Sequence, residues 1–349
     1  MIYTFFLGSY TELLTPSFGG LGDGIYTTQF DTKTKQLNKI HTKKVRNPSY
    51  LVISENNQFL YCISELDKKE SPSVRAYKIN DDFSLEFLNK QFIPGSYPCH
   101  VNSYQNNILV ACYSTGNVVQ FPLDSSGKLM KFTKNYYHKG SSISKTRQKS
   151  PHAHQVLIHP ISRDIYVCDM GIDMIKAYQL SGKELIPNEK KDIVVTKGGG
   201  PRHMIFNEIG NLGYVLNELS GEISILSRIG ETYKELRTYP TIPYGFHGTP
   251  SASTIRLHPN GKFLYAGNRG SEIITIFRIF GNRLEFLCHH FTKGKEIREF
   301  NITPNGKWLI ACHQNSNDIV IFKIKRGGLL SEEYRTREIS SPACVVFLN

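Results

Sequence analysis

The sequence predicts an all-β fold, a seven-bladed β-propeller whose blades are four-stranded antiparallel sheets. A period of about 50 residues runs through the chain, and each period contains several short apolar runs of strand length. Seven periods account for the 349 residues. The 19 Tyr and 20 Phe residues also favour β-structure.

Three series of segments define the period. The central series consists of apolar runs followed by polar residues, for example NQFLYCISE (57–65) and KWLIACHQN (307–315). A following series comes after each run, for example SVRAYKI (73–79). A leading series precedes each run and begins at or near a proline, with Ile297 where one further proline is expected: Pro48, Pro98, Pro151, Pro201, Pro250 and Pro342.

The two ends of the chain complement each other. The C-terminal SPACVVFLN (341–349) is a leading strand without followers, and the N-terminal IYTFFLGSY (2–10) is a central strand without a predecessor. We therefore predict that both ends share one blade and close the ring. Asn-Gly pairs at 260–261 and 305–306 predict tight hairpins within blades. No linker interrupts the pattern, so residues 1–349 are predicted to form a single propeller domain.

The composition of the chain indicates which kinds of binding partner the protein is expected to have. The formal net charge of +12 favours an anionic substrate, whereas the chain lacks the dense basic and aromatic runs of nucleic-acid-binding proteins. No apolar run reaches the length of a membrane span, and the N-terminus has no positive region typical of a signal peptide. The seven cysteines form no CxxC pair, which is typical of a reducing cytoplasm. We expect a cytoplasmic monomer or weak homo-oligomer without a nucleic-acid or membrane partner.

Polar residues recur at the start of the leading strands and at the end of the central strands. Antiparallel pairing brings these two positions together, so we predict a polar ring at one mouth of the central channel. The ring is richest between residues 150 and 270, which combine acids, bases and cations: His152, His154, Gln155, Asp169, Arg202, His203, Glu218, Asn268 and Arg269. This combination indicates an anion site with a capacity for proton transfer.

Structural alternatives remain for each of these residues. His154 would then bond a neighbouring carbonyl group, and the arginines would form ion pairs between blades with Glu218 as their partner. His152 and His154 form an H-x-H pair that also fits zinc, but no second pair of ligands supports a metal, and we predict neither a metal nor a cofactor. His203 follows Arg202 directly and is expected to face away from the channel or to pack structurally. Asp169 and Asn268 have backbone bonding as their alternative role.

Several motifs together resemble the seven-bladed propeller lactonase family, which includes bacterial 6-phosphogluconolactonases and fungal carboxy-muconate cyclases. The motifs occur in order along nearly the whole chain: GSYTE, NPSYLVIS, YPCHV, RQKSPHAHQ, GGPRHMIF, YVLNEL, LYAGNRG, FNITPNGKWLIACHQNSNDIVIF and SPACVVF. The resemblance implies a catalytic set of His154, Arg202, Glu218 and Arg269, no cofactor, and a role in the pentose phosphate pathway. Ile297, Ser64, Cys112 and His313 depart from the family pattern, which leaves the details of the substrate open.

The expected chemistry is the hydrolysis of a phosphorylated sugar lactone. His154 is assigned as the base that activates water, while Arg202 and Arg269 bind phosphate or stabilise the oxyanion. Glu218 orients His154, holds an arginine, or acts as an acid if burial raises its pKa. Further substrate contacts are expected from His152, Gln155, His100, Arg147, His203, Asn268 and Arg298. Arg147 belongs to a basic segment (134–151), interpreted as a loop at the rim that attracts the anion.

Two other functions fit the same sequence. The four-residue set is equally compatible with a lactonising isomerase of the carboxy-muconate type, which runs the acid–base chemistry in the other direction. A propeller can also be a non-catalytic binding scaffold. The uneven distribution of charge around the ring favours an enzyme over a scaffold.

Overall fold

A computed structural model describes residues 1–16 and 18–348 of the chain. Its strands form seven sheets of the propeller and one short hairpin. Each inner strand contacts the inner strands of both neighbouring blades, and these contacts run through the whole circle. The predicted seven-bladed, all-β architecture is therefore confirmed.

The strands follow one another in chain order. Blade 1 contains β1 (Ile2–Ser9), β4 (Gly24–Asp31) and β5 (Gln36–Lys44), with the hairpin β2 (Leu13–Thr15) and β3 (Phe18–Gly19) inserted after β1. Blade 2 contains β6 (Leu51–Ile53), β7 (Phe59–Ile63), β8 (Ser73–Ile79) and β9 (Leu85–Phe92). Blade 3 contains β10 (Pro98–Tyr104), β11 (Asn107–Cys112), β12 (Asn117–Pro122) and β13 (Lys134–Tyr137). Blade 4 contains β14 (Ala153–Ile158), β15 (Ile165–Asp169), β16 (Met174–Ser181), β17 (Glu184–Pro187) and β18 (Ile193–Val194).

The remaining blades are regular. Blade 5 contains β19 (Pro201–Phe206), β20 (Leu212–Asn217), β21 (Glu222–Ile229) and β22 (Thr232–Pro240). Blade 6 contains β23 (Ala252–Leu257), β24 (Phe263–Asn268), β25 (Ile273–Phe280) and β26 (Arg283–Phe291). Blade 7 contains β27 (Ile297–Ile302), β28 (Trp308–His313), β29 (Asp318–Ile324) and β30 (Leu330–Thr336). The last strand is β31 (Pro342–Phe347), and two single-turn 3₁₀ helices lie at Lys68–Glu70 and Glu189–Lys191.

The chain ends close the ring as predicted. Strand β31 is the innermost strand of blade 1 and pairs antiparallel with β1, so that the order across the sheet is β31-β1-β4-β5. In blade 4 the outer edge is divided, because β17 and β18 both pair with β16. The blades are thus four strands wide, with a split outer strand in blade 4.

Apolar side chains between neighbouring blades form the core. The second strand of most blades is buried along its whole length, because both of its faces are covered by an adjacent blade. The core between blades 7 and 1, for example, joins Phe5 and Val345 to Trp308 and Ile310. Such strands appear in the sequence as continuous apolar runs, which is why the central series was the clearest signal.

Two local predictions need correction. The Asn-Gly pairs lie in five-residue connections (258–262 and 303–307) rather than in two-residue hairpins, with each glycine in the left-handed region. The segment 134–151 is not a loop throughout, because Lys134–Tyr137 is the outer strand of blade 3 and pairs with β12. Apolar and polar residues do not alternate regularly in this four-residue stretch, which is why no strand was predicted there.

In the described part of the chain, no helix has the length and apolar character needed to cross a bilayer.

Truncation of a closing residue should destabilise the whole ring. Phe5 is fully buried, and its ring lies 5.4 Å from that of Phe347, its partner across the β1–β31 pair. Phe5→Ala should lower the free energy of unfolding by about 3–5 kcal/mol, measured by urea denaturation. Phe291→Ala is the matched control, since this phenylalanine at the end of an outer strand is 63% exposed and should change stability by about 0.5 kcal/mol or less. Equal effects of the two substitutions would contradict this account of closure.

Candidate active site

A repeated backbone hydrogen bond fixes one residue per blade at the mouth of the channel. In six blades, the residue directly after the second strand donates its N–H to the carbonyl of the residue directly before the adjacent inner strand, at 2.7–3.1 Å. In blade 2 the corresponding bond joins Glu65, two residues after β7, to the carbonyl of Asn47, four residues before β6, at 3.0 Å. The scaffold therefore holds seven backbone positions in equivalent places. These positions are occupied by Tyr10, Glu65, Tyr113, Met170, Glu218, Arg269 and Gln314.

Four of these residues line a cavity of about 260 Å³ at this mouth. The inner strands contribute further walls, and the hairpin β2–β3 reaches over one side. The lining consists of Thr15, Phe18, Glu65, Tyr97, Cys99, Tyr113, Ser114, Arg147, His154, Glu218, Arg269 and Arg298. A narrower continuation leads deeper into the channel, where Arg202 and His203 join His154.

A buried carboxylate lies at the centre of an arginine cluster. Glu218 Oε1 accepts a hydrogen bond from Arg147 Nη2 at 2.7 Å. Its other oxygen, Oε2, lies 3.1 Å from Arg202 Nε and 3.0 Å from Arg269 Nη2. Two blades and one loop thus meet at a single carboxylate, which belongs to a residue that is only 5% exposed.

The cluster fixes the charge of this carboxylate. Burial acts to raise the pKa of Glu218, but the three guanidinium groups outweigh burial and hold the pKa below its usual range. The role of an acid with a raised pKa is therefore not supported for Glu218, and its contacts match the role of holding arginines. Burial and the neighbouring Arg269 lower the pKa of Arg202 to about 10, so this guanidinium is also charged at neutral pH.

His154 lies at the junction of the two parts of the cavity. Its imidazole ring is 5% exposed, edge-on to Tyr113 at 5.9 Å and to His203 at 5.3 Å between ring centroids. Its Nδ1 atom is buried and has no hydrogen-bond partner among the described residues. Burial, reinforced by the charge of Arg202, lowers the pKa of His154 well below 6.5, so that the imidazole is neutral and able to accept a proton.

A second arginine site lies on the opposite wall. Arg298 Nη2 donates to Tyr10 Oη at 2.7 Å, and Tyr10 Oη donates to Glu65 Oε2 at 2.7 Å. The guanidinium group also lies over the rings of Tyr10 and Phe18, at 5.5 and 5.3 Å from their centroids. Phe18 belongs to the inserted hairpin, so this insertion forms part of the cavity wall.

The cavity carries a positive excess. Four guanidinium groups, from Arg147, Arg202, Arg269 and Arg298, are opposed by the carboxylates of Glu218 and Glu65. Two further carboxylates lie beside them: Glu299, which lines the continuation, pairs with Arg256, and Glu296 lies 3.4 Å from Arg269. With neutral histidines this leaves an excess of positive charge around a partly enclosed space. Such a site attracts a small anion.

The structure brings together the four residues proposed as catalytic, and also Arg147, Arg298 and His203. The sequence analysis considered His203 both as a substrate contact and as a residue that faces away from the channel or packs structurally. Its ring lines the narrower continuation and packs there against His100 and Tyr50. A bulge between Pro201 and His203 interrupts the alternation of the inner strand, so that Arg202 and His203 both line the channel. Arg202 Nη1 lies 3.2 Å from His203 Nε2.

Three predicted substrate contacts have structural partners instead. Asn268 donates to the carbonyl and hydroxyl oxygens of Thr241, because it is the last strand residue and its side chain points away from the cavity. Gln155 Oε1 accepts from the Met204 N–H of the next blade at 2.7 Å. His152 stacks on Tyr113 and bonds its carbonyl, outside the cavity lining.

His100 and Asp169 are likewise explained by packing. His100 is buried against Tyr50, with ring centroids 4.2 Å apart, and burial lowers its pKa to about 3. Asp169 Oδ1 accepts the N–H groups of His152 and Gly171, which is the backbone role considered for it from the sequence. Within residues 1–16 and 18–348, no group of three or more His, Cys, Asp or Glu side chains is arranged to hold a metal ion.

Sequence reasoning missed Tyr10, Glu65 and Tyr113. All three occupy the same repeat position as Glu218 and Arg269, after the end of a central strand. This equivalence was visible in the sequence. The three residues were missed because the polar ring was searched mainly between residues 150 and 270, where charged residues are most frequent. Phe18 lies in the inserted hairpin, to which no signal of the repeat pointed, and Tyr97 occupies the acceptor position of the repeated hydrogen bond, directly before an inner strand, which was not searched for site residues.

Comparison with known proteins gives consistent matches. Residues 4–347 match the family described as lactonase with a 7-bladed beta-propeller. A 6-phosphogluconolactonase of Bacillus subtilis (strain 168) is 32% identical over 307 residues, which cover 85% of this chain and 84% of the relative. One of Formosa agariphila is 31% identical over 308 residues and covers 85% of each chain. The crystal structure of a candidate 6-phosphogluconolactonase from Bacteroides fragilis has a TM-score of 0.92 at 30% identity and covers 100% of this chain and 98% of that chain.

Removal of the central carboxylate should destabilise the protein and increase the stabilisation that a bound anion provides. Glu218→Gln leaves the buried guanidinium groups of Arg202 and Arg269, and the half-exposed one of Arg147, without their counter-charge and should lower the free energy of unfolding at pH 7 by about 3–5 kcal/mol. The pKa of Glu218 is lowered from 4.5, so this contribution is present above pH 4.5 and is lost as the pH falls further. Inorganic phosphate should raise the Tm of the variant more than that of the wild type. An unchanged Tm without phosphate would contradict the assigned role.

Proposed function

Because the chain belongs to the seven-bladed β-propeller lactonase family, we propose that it is a lactone hydrolase of the 6-phosphogluconolactonase type, acting on a phosphorylated sugar lactone. The observation that carries the proposal is the cavity with an excess of positive charge, from four arginines, beside a neutral imidazole. A phosphate monoester carries a charge of about −1.5 to −2 at neutral pH, which is complementary in sign to this excess.

In the proposed reaction, His154 is the general base. A water molecule attacks the lactone carbonyl carbon while the imidazole accepts one of its protons. The tetrahedral intermediate then collapses, the ring C–O bond breaks, and the imidazolium returns the proton to the leaving alkoxide. A histidine that is neutral at rest suits this cycle, because it begins as a base and becomes an acid only after it has accepted the proton.

The four arginines have two proposed roles, oxyanion stabilisation and phosphate binding. Arg202 and Arg269 are oriented by Glu218 and by backbone carbonyls, since Arg202 donates to the carbonyl of Ser253 and Arg269 to that of Ala252. Two fixed guanidinium groups beside His154 suit stabilisation of the oxyanion. Arg147 and Arg298 flank the mouth and are proposed to bind the phosphate group.

Glu218 enters this scheme as a positioning residue. Its carboxylate accepts a hydrogen bond from Arg147 and forms ion pairs with Arg202 and Arg269, so that a single negative charge offsets the mutual repulsion of three guanidinium groups. We further propose that the enzyme acts in the cytoplasm, in the oxidative pentose phosphate pathway, as the names of the relatives imply for such a lactonase.

Loss of the base should abolish most of the catalysis. His154→Ala should reduce kcat by about 10²–10⁴-fold on freshly made 6-phosphogluconolactone, after correction for spontaneous hydrolysis. His152→Ala is the matched control, because this histidine is two residues away and lies outside the cavity lining. The lowered pKa of His154 also predicts that kcat/KM of the wild type does not halve at pH 6.5. Near-normal kcat in His154→Ala would overturn the assignment, and wild-type protein without turnover would overturn the proposed function.

Reversal of the charge at the rim should weaken substrate binding. Arg147→Glu places a carboxylate against Glu218 at the mouth and should raise KM, more strongly at low salt than at high salt because ions screen the interaction. Lys149→Glu is the control, since it makes the same change of charge on an exposed side chain of the same loop. KM for Arg147→Glu that equals the wild-type value at low salt would refute a role in binding.

A further inference from the structure

Arg147 reaches the cavity on a connection that has no strand of its own. Residues 138–152 run from the outer strand of blade 3 to the inner strand of blade 4, whereas the corresponding connections of blades 2 and 6 contain five residues. The Arg147 side chain is 43% exposed, so packing alone does not fix its position. Some other group must hold this segment, which we call the Arg147 loop.

Gln148 is the buried anchor of the Arg147 loop. Its side chain is fully buried, and its Nε2 donates to the Met170 carbonyl at 2.8 Å and to Asp173 Oδ1 at 2.7 Å. Its Oε1 accepts from the Ser144 N–H, which rigidifies the turn before Arg147. The residue next to the functional arginine is thus tied to blade 4 through Asp173.

Asp173 connects this loop to a second segment of the site. Its Oδ2 accepts from the Ser142 hydroxyl at 2.5 Å and from the Gly198 N–H at 2.6 Å. Its Oδ1 accepts from the Gly200 N–H at 2.7 Å, in addition to Gln148. The carboxylate is 2% exposed and accepts four hydrogen bonds from two separate connections.

The second segment leads directly to the arginine cluster. The Gly200 carbonyl accepts the Glu218 N–H at 2.7 Å, and Arg202 follows two residues later on the inner strand of blade 5. Asp173 is therefore linked to Arg147 through the neighbouring residue Gln148. On its other side, it is linked to the Glu218 backbone through Gly200. The 2.7 Å hydrogen bond between Arg147 and Glu218 closes this circuit.

Comparison between blades shows what is particular to Asp173. The equivalent turn position holds Glu272 in blade 6 and Asn317 in blade 7, all in the left-handed region with φ of 51–58°. Each of the three side chains accepts an N–H of the connection that leads to the next inner strand. The general function of the position is to link consecutive blades, and Asp173 adds the contacts to the Arg147 loop.

We propose that Asp173 is a positioning residue that, through Gln148, holds Arg147 against Glu218 and so sets the affinity of the site for its anionic substrate. The expected change in KM rests on the proposed function, whereas the claim that Asp173 holds the Arg147 loop in place does not. Asp173 contacts neither the cavity nor the reacting atoms, so its effect on KM should pass through Arg147, while its bonds to Gly198 and Gly200 support the backbone of the second connection.

A double-mutant cycle tests this dependence. Asp173→Asn should raise KM for 6-phosphogluconolactone by about fivefold to tenfold and leave kcat within about twofold, because His154 is untouched. In an Arg147→Ala background, Asp173→Asn should cause no further rise of KM. Additive effects in the double variant, or an unchanged KM in the single variant, would overturn the proposal.

The control separates positioning from general stability. Asp318→Asn alters a buried carboxylate of blade 7 that pairs with Arg335 and Arg337, away from the cavity. It should lower stability without a change in KM. If Asp173→Asn does not fold, Gln148→Leu removes the other end of the same hydrogen bond and should give the same rise in KM.

Limited trypsin digestion provides a readout that does not require turnover. Cleavage after Lys145 and Lys149 should be faster in Asp173→Asn and in Gln148→Leu than in wild type, and unchanged in Asp318→Asn. Equal cleavage in all four proteins would overturn the proposal whatever the substrate is. Faster cleavage in a protein that hydrolyses no lactone would retain the positioning role and reject the proposed function.

Discussion

The site depends on one backbone hydrogen bond that is repeated in every blade. It joins a residue after the second strand to a residue before the adjacent inner strand, and it places seven side chains at the same mouth of the channel. Five of the seven acceptor residues adopt positive φ, namely Asn47, Tyr97, Gly200, Glu296 and Ser341. The two exceptions follow the long connections 138–152 and 241–251, which have more residues with which to make the turn. Because the scaffold fixes these positions through backbone atoms alone, the side chain at each position can vary without loss of the hydrogen bond and is available for binding or catalysis.

Charge is the second constraint. Four arginines in a space of this size would repel one another strongly, and burial would penalise each of them. Glu218 makes the arrangement tolerable because a single carboxylate is shared among three guanidinium groups. Burial, reinforced by the charge of these arginines, keeps His154 and His203 neutral. The positive excess and the neutral imidazole therefore both depend on this buried cluster, and under the proposed function a substitution within it would alter both anion binding and proton transfer.

Much of this was accessible from the sequence, and the failures have identifiable causes. The fold and its closure follow from the repeat, because strands covered on both faces must be apolar throughout. The repeat placed His154, Glu218, Arg202 and Arg269 in the polar ring, and the family resemblance singled out these four as the catalytic set. The orientation of His203 stayed open because a β-bulge places two consecutive side chains on the same side, and a bulge leaves no mark in an apolar–polar pattern. Phe18 and Gln148 belong to connections of individual length, whose paths are set by tertiary contacts rather than by the repeat.

The misassignment of Asn268 shows how the scaffold separates stability from function. In two blades the last residue of the second strand lies outside the cavity lining and bonds the chain behind it, as Ser9 does with the Gly24 carbonyl and Asn268 with Thr241. The residue after Asn268, Arg269, lies in the lining. Strand alternation therefore places adjacent residues on opposite sides, one against the blade and the other at the cavity. A propeller built in this way can vary the residues that reach the cavity while their neighbours maintain the ring, which explains how polar residues one apart in sequence differ completely in their surroundings.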